Sequence, residues 1–347
     1  MENTITSVSS DLNRRHNYYT VLHVIRAHHR ISITEISHLT RISYPTVANI
    51  VQELKKKKLV RYRKINETRI GRKPCVVEFV PSHGSIIGLE IGCGLNGVIT
   101  TLNGKIITRK FRQKYDGCIT LAEILSFIEK LIRNKQSDSH ENLVGLGVAI
   151  AGYVNDKGEY LVGRFDHSVW MPVKKVLEET FNVPVVVEND ANAAMRAEYS
   201  FGVARGIQNA VYILKRGAGI GMGLLLNGNI YRGTEGFAGE NFELFDGKVL
   251  DMPGNKLVLH NDFLEGLYRI AGLLNPEMVI LGGELSDVSE HVLTEAEQNL
   301  RKYQDKNIKI ALKTAKVGKD GAVLGAVDSV MELLFGFPMK IKNFQKI

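Results

Sequence analysis

Up to about residue 80 the apolar positions recur mainly at helical intervals. Asn13 to His29 predicts a helix with Val21, Leu22 and Ile25 as its apolar stripe and Arg14 and Arg15 near its start. Ser32-Ile33-Thr34-Glu35 predicts a capping box, opening a short helix with Ile36 and Leu39 one turn apart. Thr40-Arg41-Ile42 is a tight connection, Ser43 suits the N-cap of the next helix, and Pro45 is tolerated in its first turn. In that helix Val47, Ile50, Val51 and Leu54 share one face and point inward, leaving Tyr44, Thr46, Asn49 and Gln52 outside. Leu59 to Arg63 and Val76 to Val80 then alternate as two short strands.

The texture changes at Gly84. Apolar strands alternate with helices between frequent glycines, which predicts an α/β body. Ile86 to Gly92 and Leu143 to Ile150 read as buried strands, with Val98 to Ile107 a hairpin partner turning at Asn103-Gly104. Leu121 to Arg133 and Val173 to Phe181 read as helices. Val183 to Glu188 is a strand that delivers Asn189-Asp190 at its end, before a helix from Ala191 to Tyr199. A second strand, glycine turn and strand run from Ala210 to Ile230, through Gly217 to Gly223 and the turn Asn227-Gly228. The repeated order suggests two lobes built alike.

Charge sharpens the division. The formal net charge is +8, yet residues 1–80 hold 15 basic and 6 acidic residues and the rest hold 30 and 31. A basic module on a near-neutral body is the footprint of a nucleic-acid reader with a separate second function. Hydroxyl and amide groups on the exposed face of a second helix suit base-edge and phosphate contacts in a major groove. The expected DNA contacts are therefore Ser43, Tyr44, Thr46, Asn49, Gln52 and Lys55, with Arg69, Arg72 and Lys73 at the tip of a basic wing. A small helical dimerisation or linker module with solvated lysines is the competing reading. Three scattered cysteines and no apolar run near the roughly 18 residues of a membrane span point to a reducing cytoplasm and no membrane partner.

By Asn189-Asp190 and the spaced glycines the chain resembles the ROK family of repressors and sugar kinases, in its xylose- and N-acetylglucosamine-type repressor subgroup. The resemblance runs nearly the whole length. It is carried by Ser43 to Val47, Gly71 to Pro74, Trp170, Val185 to Ala194, Gly219-Ile220-Gly221, Gly233, Gly236, Gly239-Glu240, Leu274 to Glu277 and Ile280 to Gly283. It implies a winged helix-turn-helix over residues 1–81. Residues 82–347 would form a two-lobed actin/hexokinase-like (ribonuclease H-like) body, with lobes at about 82–190 plus the C-terminal helix and 191–320.

In the family's kinases the residue matching Asp190 takes a proton from a sugar hydroxyl and the one matching Asn189 orients the sugar. The resemblance thus implies a carbohydrate site at Asn189, Asp190, Glu240 and Glu243. Asp190 itself has three readings: sugar ligand, catalytic base, or cap of the following helix. The phosphate loops depart from the kinase pattern. Glu90-Ile91-Gly92-Cys93-Gly94 replaces Asp-x-Gly-Gly-Thr, and Gly217-Ala218-Gly219 replaces Gly-Thr-Gly. The family's zinc cluster is missing too: Glu240 is followed by Asn241-Phe242-Glu243, no cysteine follows Cys118, and His260 reads as a surface or loop histidine. The interval from Glu243 to Leu274 is shorter than the family's. No metal, cofactor or catalytic residue is expected.

Three functions compete at this point. The first is a regulator, usually a repressor, of carbohydrate genes that binds operator DNA as a homodimer or homotetramer and answers a sugar. The second is a regulator whose body only oligomerises. The third is an ATP-dependent sugar kinase with an accessory DNA-binding end.

Overall fold

The capping box closes as expected. The Ser32 hydroxyl accepts the Glu35 amide at 3.1 Å, and the Glu35 carboxylate accepts the Ser32 amide at 2.8 Å. The structure is a computed structural model describing residues 2–28, 30–64, 75–92, 94–113, 119–133, 142–162, 169–217, 219–240, 245, 249–251, 258–303 and 310–336. Its first unit comprises α1 (Glu2–His28), β1 (Arg30–Ile31), α2 (Ile33–Thr40), α3 (Tyr44–Lys56), β2 (Val60–Lys64) and β3 (Cys75–Phe79). The strands form an antiparallel sheet in the order β1-β3-β2. Helix α1 starts at Glu2, earlier than the Asn13 that the apolar stripe indicates. Val47, Ile50, Val51 and Leu54 are buried, the inward face expected of α3.

The body repeats one pattern twice. Its first half holds β4 (Ser85–Ile91), β5 (Gly94–Thr101), β6 (Ile106–Gln113), α4 (Leu121–Arg133), β7 (Leu143–Ile150), β8 (Tyr160–Val162), β9 (Val169–Met171), α5 (Val173–Phe181) and β10 (Val185–Asn189). α6 (Asp190–Phe201) leads into β11 (Ala210–Arg216), β12 (Gly219–Leu226), β13 (Asn229–Tyr231), β14 (Leu250–Asp251), β15 (Val258–Leu259), α7 (Asn261–Leu274), β16 (Met278–Gly283), α8 (Glu290–Tyr303), β17 (Ala311–Thr314) and α9 (Gly321–Phe335). The two sheets have the orders β10-β7-β4-β5-β6 and β17-β16-β11-β12-β13. In each, three antiparallel strands are extended by two parallel ones. This is the doubled lobe architecture expected from the repeated glycine turns.

In this symmetry α6 and α9 are equivalents, each following the last parallel strand of its half. They pack on each other between the sheets, α9 against β4 and β7 and α6 against β11 and β12. Small residues permit the approach. A Cβ on Gly325 would strike the Ala193 carbonyl, and one on Gly147 would strike that of Ala326.

The first unit is not a loose appendage. Val21, Leu22 and Ile25 of α1 belong to one continuous buried cluster with Val77 and Phe79 of β3 and Val327, Val330, Met331 and Phe335 of α9. Arg26 crosses this seam, its guanidinium 5.7 Å from the Phe79 ring centre and 5.5 Å from that of Phe335. His260 is the N-cap of α7 rather than a plain loop residue, its Nδ1 accepting the Asp262 amide at 3.2 Å.

Candidate nucleic-acid interface and body cleft

Burial of the α3 stripe turns its other side to solvent. Ser43, Tyr44, Asn49, Gln52 and Lys55 are exposed and Thr46 is half-buried. Tyr44, at 53% exposure, is a large aromatic that no folding requirement places outside. Ser43 precedes the helix as expected, but its hydroxyl meets the Thr46 hydroxyl at 2.8 Å instead of capping a backbone amide. Gln52 donates to the Tyr62 hydroxyl at 3.3 Å, and the Lys55 ammonium lies 5.1 Å from the Tyr62 ring centre. Lys57 is drawn back to Glu53 at 3.0 Å and the Tyr18 hydroxyl at 3.2 Å, so the four-lysine run does not face one way. Arg69, Arg72 and Lys73 lie outside the described residues.

One feature of this unit has no signature in the linear sequence. Glu78 of β3 accepts from Arg30 at 3.1 Å, Arg61 at 2.7 Å and Arg63 at 3.3 Å. Although its burial opposes ionisation, the hydrogen bonds from the three arginines lower its pKa to about 2.

In the body, parallel strand β10 carries Asn189 and Asp190 to the end of the sheet. Asn189, not Asp190, is the N-cap of α6, its side-chain oxygen accepting the Ala191 and Asn192 amides at 2.8 and 3.1 Å. Asp190 shares this contact, its Oδ1 accepting the Ala191 amide at 2.9 Å. The Asn189 amide donates to Glu240 at 2.6 Å and to the Gly152 carbonyl at 3.2 Å. Asn189, Asp190 and Glu240 thus converge, while Glu243 lies outside the described residues. Burial raises the Glu240 pKa against the Asn189 hydrogen bond. Burial, with Glu90 and Glu240 nearby, raises Asp190 to about 7 despite the opposing charge of Arg216. A carboxyl near that value can donate to or accept from a hydroxyl. Beside Glu240 stand Tyr153 and Phe237, edge to face at 5.1 Å, with Trp170 stacked on Phe237 at 6.4 Å.

The other end of the cleft is defined by Arg216, which the linear reading did not single out. Its guanidinium pairs with Glu90 and lies 3.7 Å from Asp190. Asn96, the register partner of Glu90, donates to that carboxylate at 3.2 Å. Arg109 makes a two-pronged pair with Asp320 at 2.6 and 2.7 Å. A cavity of about 380 Å³ lies among Glu90, Asn96, Arg109, Tyr212, Arg216 and Lys319. The carboxylate at the first glycine turn, Glu90, is thus paired with a cation of the protein itself. Among the described residues no three His, Cys, Asp or Glu side chains group so as to hold a metal, and no helix is long and apolar enough to cross a membrane.

A winged helix-turn-helix joined to a two-lobed sugar-kinase-like body is the class that this architecture defines. Residues 86–241 match the ROK family and residues 10–68 the MarR family. The chain thus combines a segment similar to the ROK family with a segment similar to the MarR family. It is 31% identical over 215 residues to the xylose repressor of Bacillus subtilis (strain 168), a match that covers 60% of this chain and 55% of that repressor. The chain thus spans little more than half the length of the curated relatives it matches. A solved ROK family transcriptional regulator, a homologue of the E. coli MLC protein, superposes with a TM-score of 0.71 over 93% of this chain and 96% of that one, at 16% identity. A ROK family glucokinase from Streptomyces griseus, solved with glucose and AMPPNP, superposes with a TM-score of 0.54 over 71% of this chain and 99% of that one, at 23% identity. Both likenesses concern the fold.

Proposed function

We propose that this protein is a DNA-binding transcriptional repressor whose kinase-like body senses a carbohydrate and performs no phosphoryl transfer. The observation that carries this reading is the pairing of Arg216 with Glu90 in a body that still gathers Asn189, Asp190 and Glu240. The hydroxyl-binding end persists while the phosphate end is closed by an internal cation. Residues 1–81 act as the reading unit, with Ser43, Tyr44, Thr46, Asn49, Gln52 and Lys55 contacting an operator and Arg69, Arg72 and Lys73 the neighbouring groove. Residues 82–347 act as the sensor, with Asn189, Asp190, Glu240 and Glu243 as effector ligands. The name of the Bacillus relative, xylose repressor, supports a sugar as the effector class. The protein works in the cytoplasm as a homodimer or homotetramer, which presents paired reading helices to a two-fold operator.

The test is a gel shift of the intact protein on DNA from upstream of its own gene, repeated with D-xylose, D-glucose and N-acetyl-D-glucosamine. Retardation relieved by one sugar is expected. Retardation that no sugar relieves moves the body to a purely oligomerising role, and sugar-dependent ATP consumption restores the kinase reading.

A further inference from the structure

Glu78 lies on the central strand of the winged-helix sheet, directly opposite Arg30 on one side and Arg61 on the other. Two positions along β2, Arg63 stands on the same face. The other face carries Val60, Tyr62, Val77 and Phe79 into the core. One carboxylate therefore sits amid three guanidinium groups. Its side chain is 14% exposed, whereas those of Arg30, Arg61 and Arg63 are 56%, 59% and 51% exposed. The Arg109–Asp320 and Arg232–Glu188 pairs balance one charge with one charge. Among the described residues, Glu78 is the carboxylate that pairs with all three arginines, which leaves two positive charges in excess.

The carboxylate oxygens are saturated. Oε1 accepts from Arg30 and Arg63, and Oε2 from Arg61 and Arg63. Arg30 and Arg61 turn their Nε inward to Glu78, and their Nη atoms make no hydrogen bond among the described residues. Three guanidiniums thus hold a fixed orientation with outward donors, which suits an anion with several oxygens. β2 follows the basic end of α3 and leads toward the segment containing Arg69, Arg72 and Lys73. The neighbourhood is the DNA-reading unit, where the chain's whole excess of positive charge resides.

We propose that Arg30, Arg61 and Arg63, organised by Glu78, form a second phosphate platform that grips the DNA backbone flanking the half-site read by α3. This inference rests on the DNA-binding reading and adds a contact surface to it. The platform supplies affinity and register without base discrimination.

The test uses the full chain on two duplexes, a core site and the same core with ten added base pairs on each side. Affinity is measured by fluorescence anisotropy across a range of salt. On the flanked duplex, R61Q/R63Q is expected to bind at least tenfold more weakly at low salt than the wild type. Its log–log salt slope should be shallower by about 1.8, for two lost phosphate contacts at about 0.9 each. On the core duplex both proteins should bind alike, and R61K/R63K should keep most of the wild-type slope. An unchanged slope and affinity for R61Q/R63Q on the flanked duplex would overturn the platform and leave the patch to another partner, such as an acidic protein surface. Equal weakening on both duplexes would overturn it too, by placing these arginines over the core site. A wild type that binds neither duplex would remove the DNA-binding reading itself.

Discussion

Arg216 of β11 and Glu90 of β4 form an ion pair that bridges the two sheets of the body. Each residue stands at the glycine turn of its own half, so a side chain joins the lobes where a kinase would use metal and phosphate. Glu90 is buried, and removing its partner leaves a charge stranded. Arg216→Met should destabilise the chain by about 3 kcal/mol, the scale for breaking a buried pair. Differential scanning calorimetry checks this. Wild-type protein should show no thermal shift with magnesium ATP.

Asp190 gives a pH signature. Its folded pKa, about 7, lies above the ordinary aspartate value of 3.8, so the folded state holds the proton to higher pH than the unfolded chain does. Stability from this group is complete below about pH 4 and is lost as the pH rises to about 7. Asp190→Asn removes that loss. The variant should gain melting temperature relative to wild type at pH 8, and the gain should shrink toward pH 4. Thermal melts across this range measure it.

The seam between the reading unit and the body makes another prediction. Phe335 of α9 is buried beside Arg26 of α1 in the cluster they share. Phe335→Ala should cost about 3 kcal/mol, the lower end for a buried phenylalanine. Amide exchange in α1 should accelerate along with that of α9, because one cluster serves both. Faster exchange confined to α9 would show that the two units melt independently.

Glu240 should separate sensing from reading. Its carboxylate holds Asn189 at 2.6 Å, far in the chain from the α3 surface. Glu240→Gln should weaken relief by sugar at least tenfold, about 1.4 kcal/mol or more, while operator affinity without sugar stays within twofold. Isothermal titration with sugar and anisotropy with DNA provide the two readouts.

What could be read in advance followed the range of the interactions. The α3 stripe, the Ser32–Glu35 box and the delivery of Asn189-Asp190 at a strand end are local patterns. Each is decided by residues within a turn or a strand of one another. The doubled lobes were visible because the glycine turns repeat. Arg216 and Glu90 lie 126 positions apart, so their pairing emerges only when two sheets face each other. Glu78 and its arginines likewise depend on the register of three strands. At Ser43 and Asn189 the residue type indicated a helix start, but the side-chain partner was a matter of geometry. Ser43 bonds Thr46, and Asn189 and Asp190 both accept the Ala191 amide at the start of α6.

The exposed face of α3 is directly open to measurement. Asn49→Ala/Gln52→Ala should leave the fold intact, because both side chains are solvent-facing. Affinity of this variant and of the wild type is compared on the gene's own upstream duplex and on a scrambled duplex of equal length. Affinity for the upstream DNA should fall at least tenfold, with little change on the scrambled duplex. Equal binding of both proteins to the upstream duplex, or no binding by the wild type at low salt, would contradict DNA reading by α3.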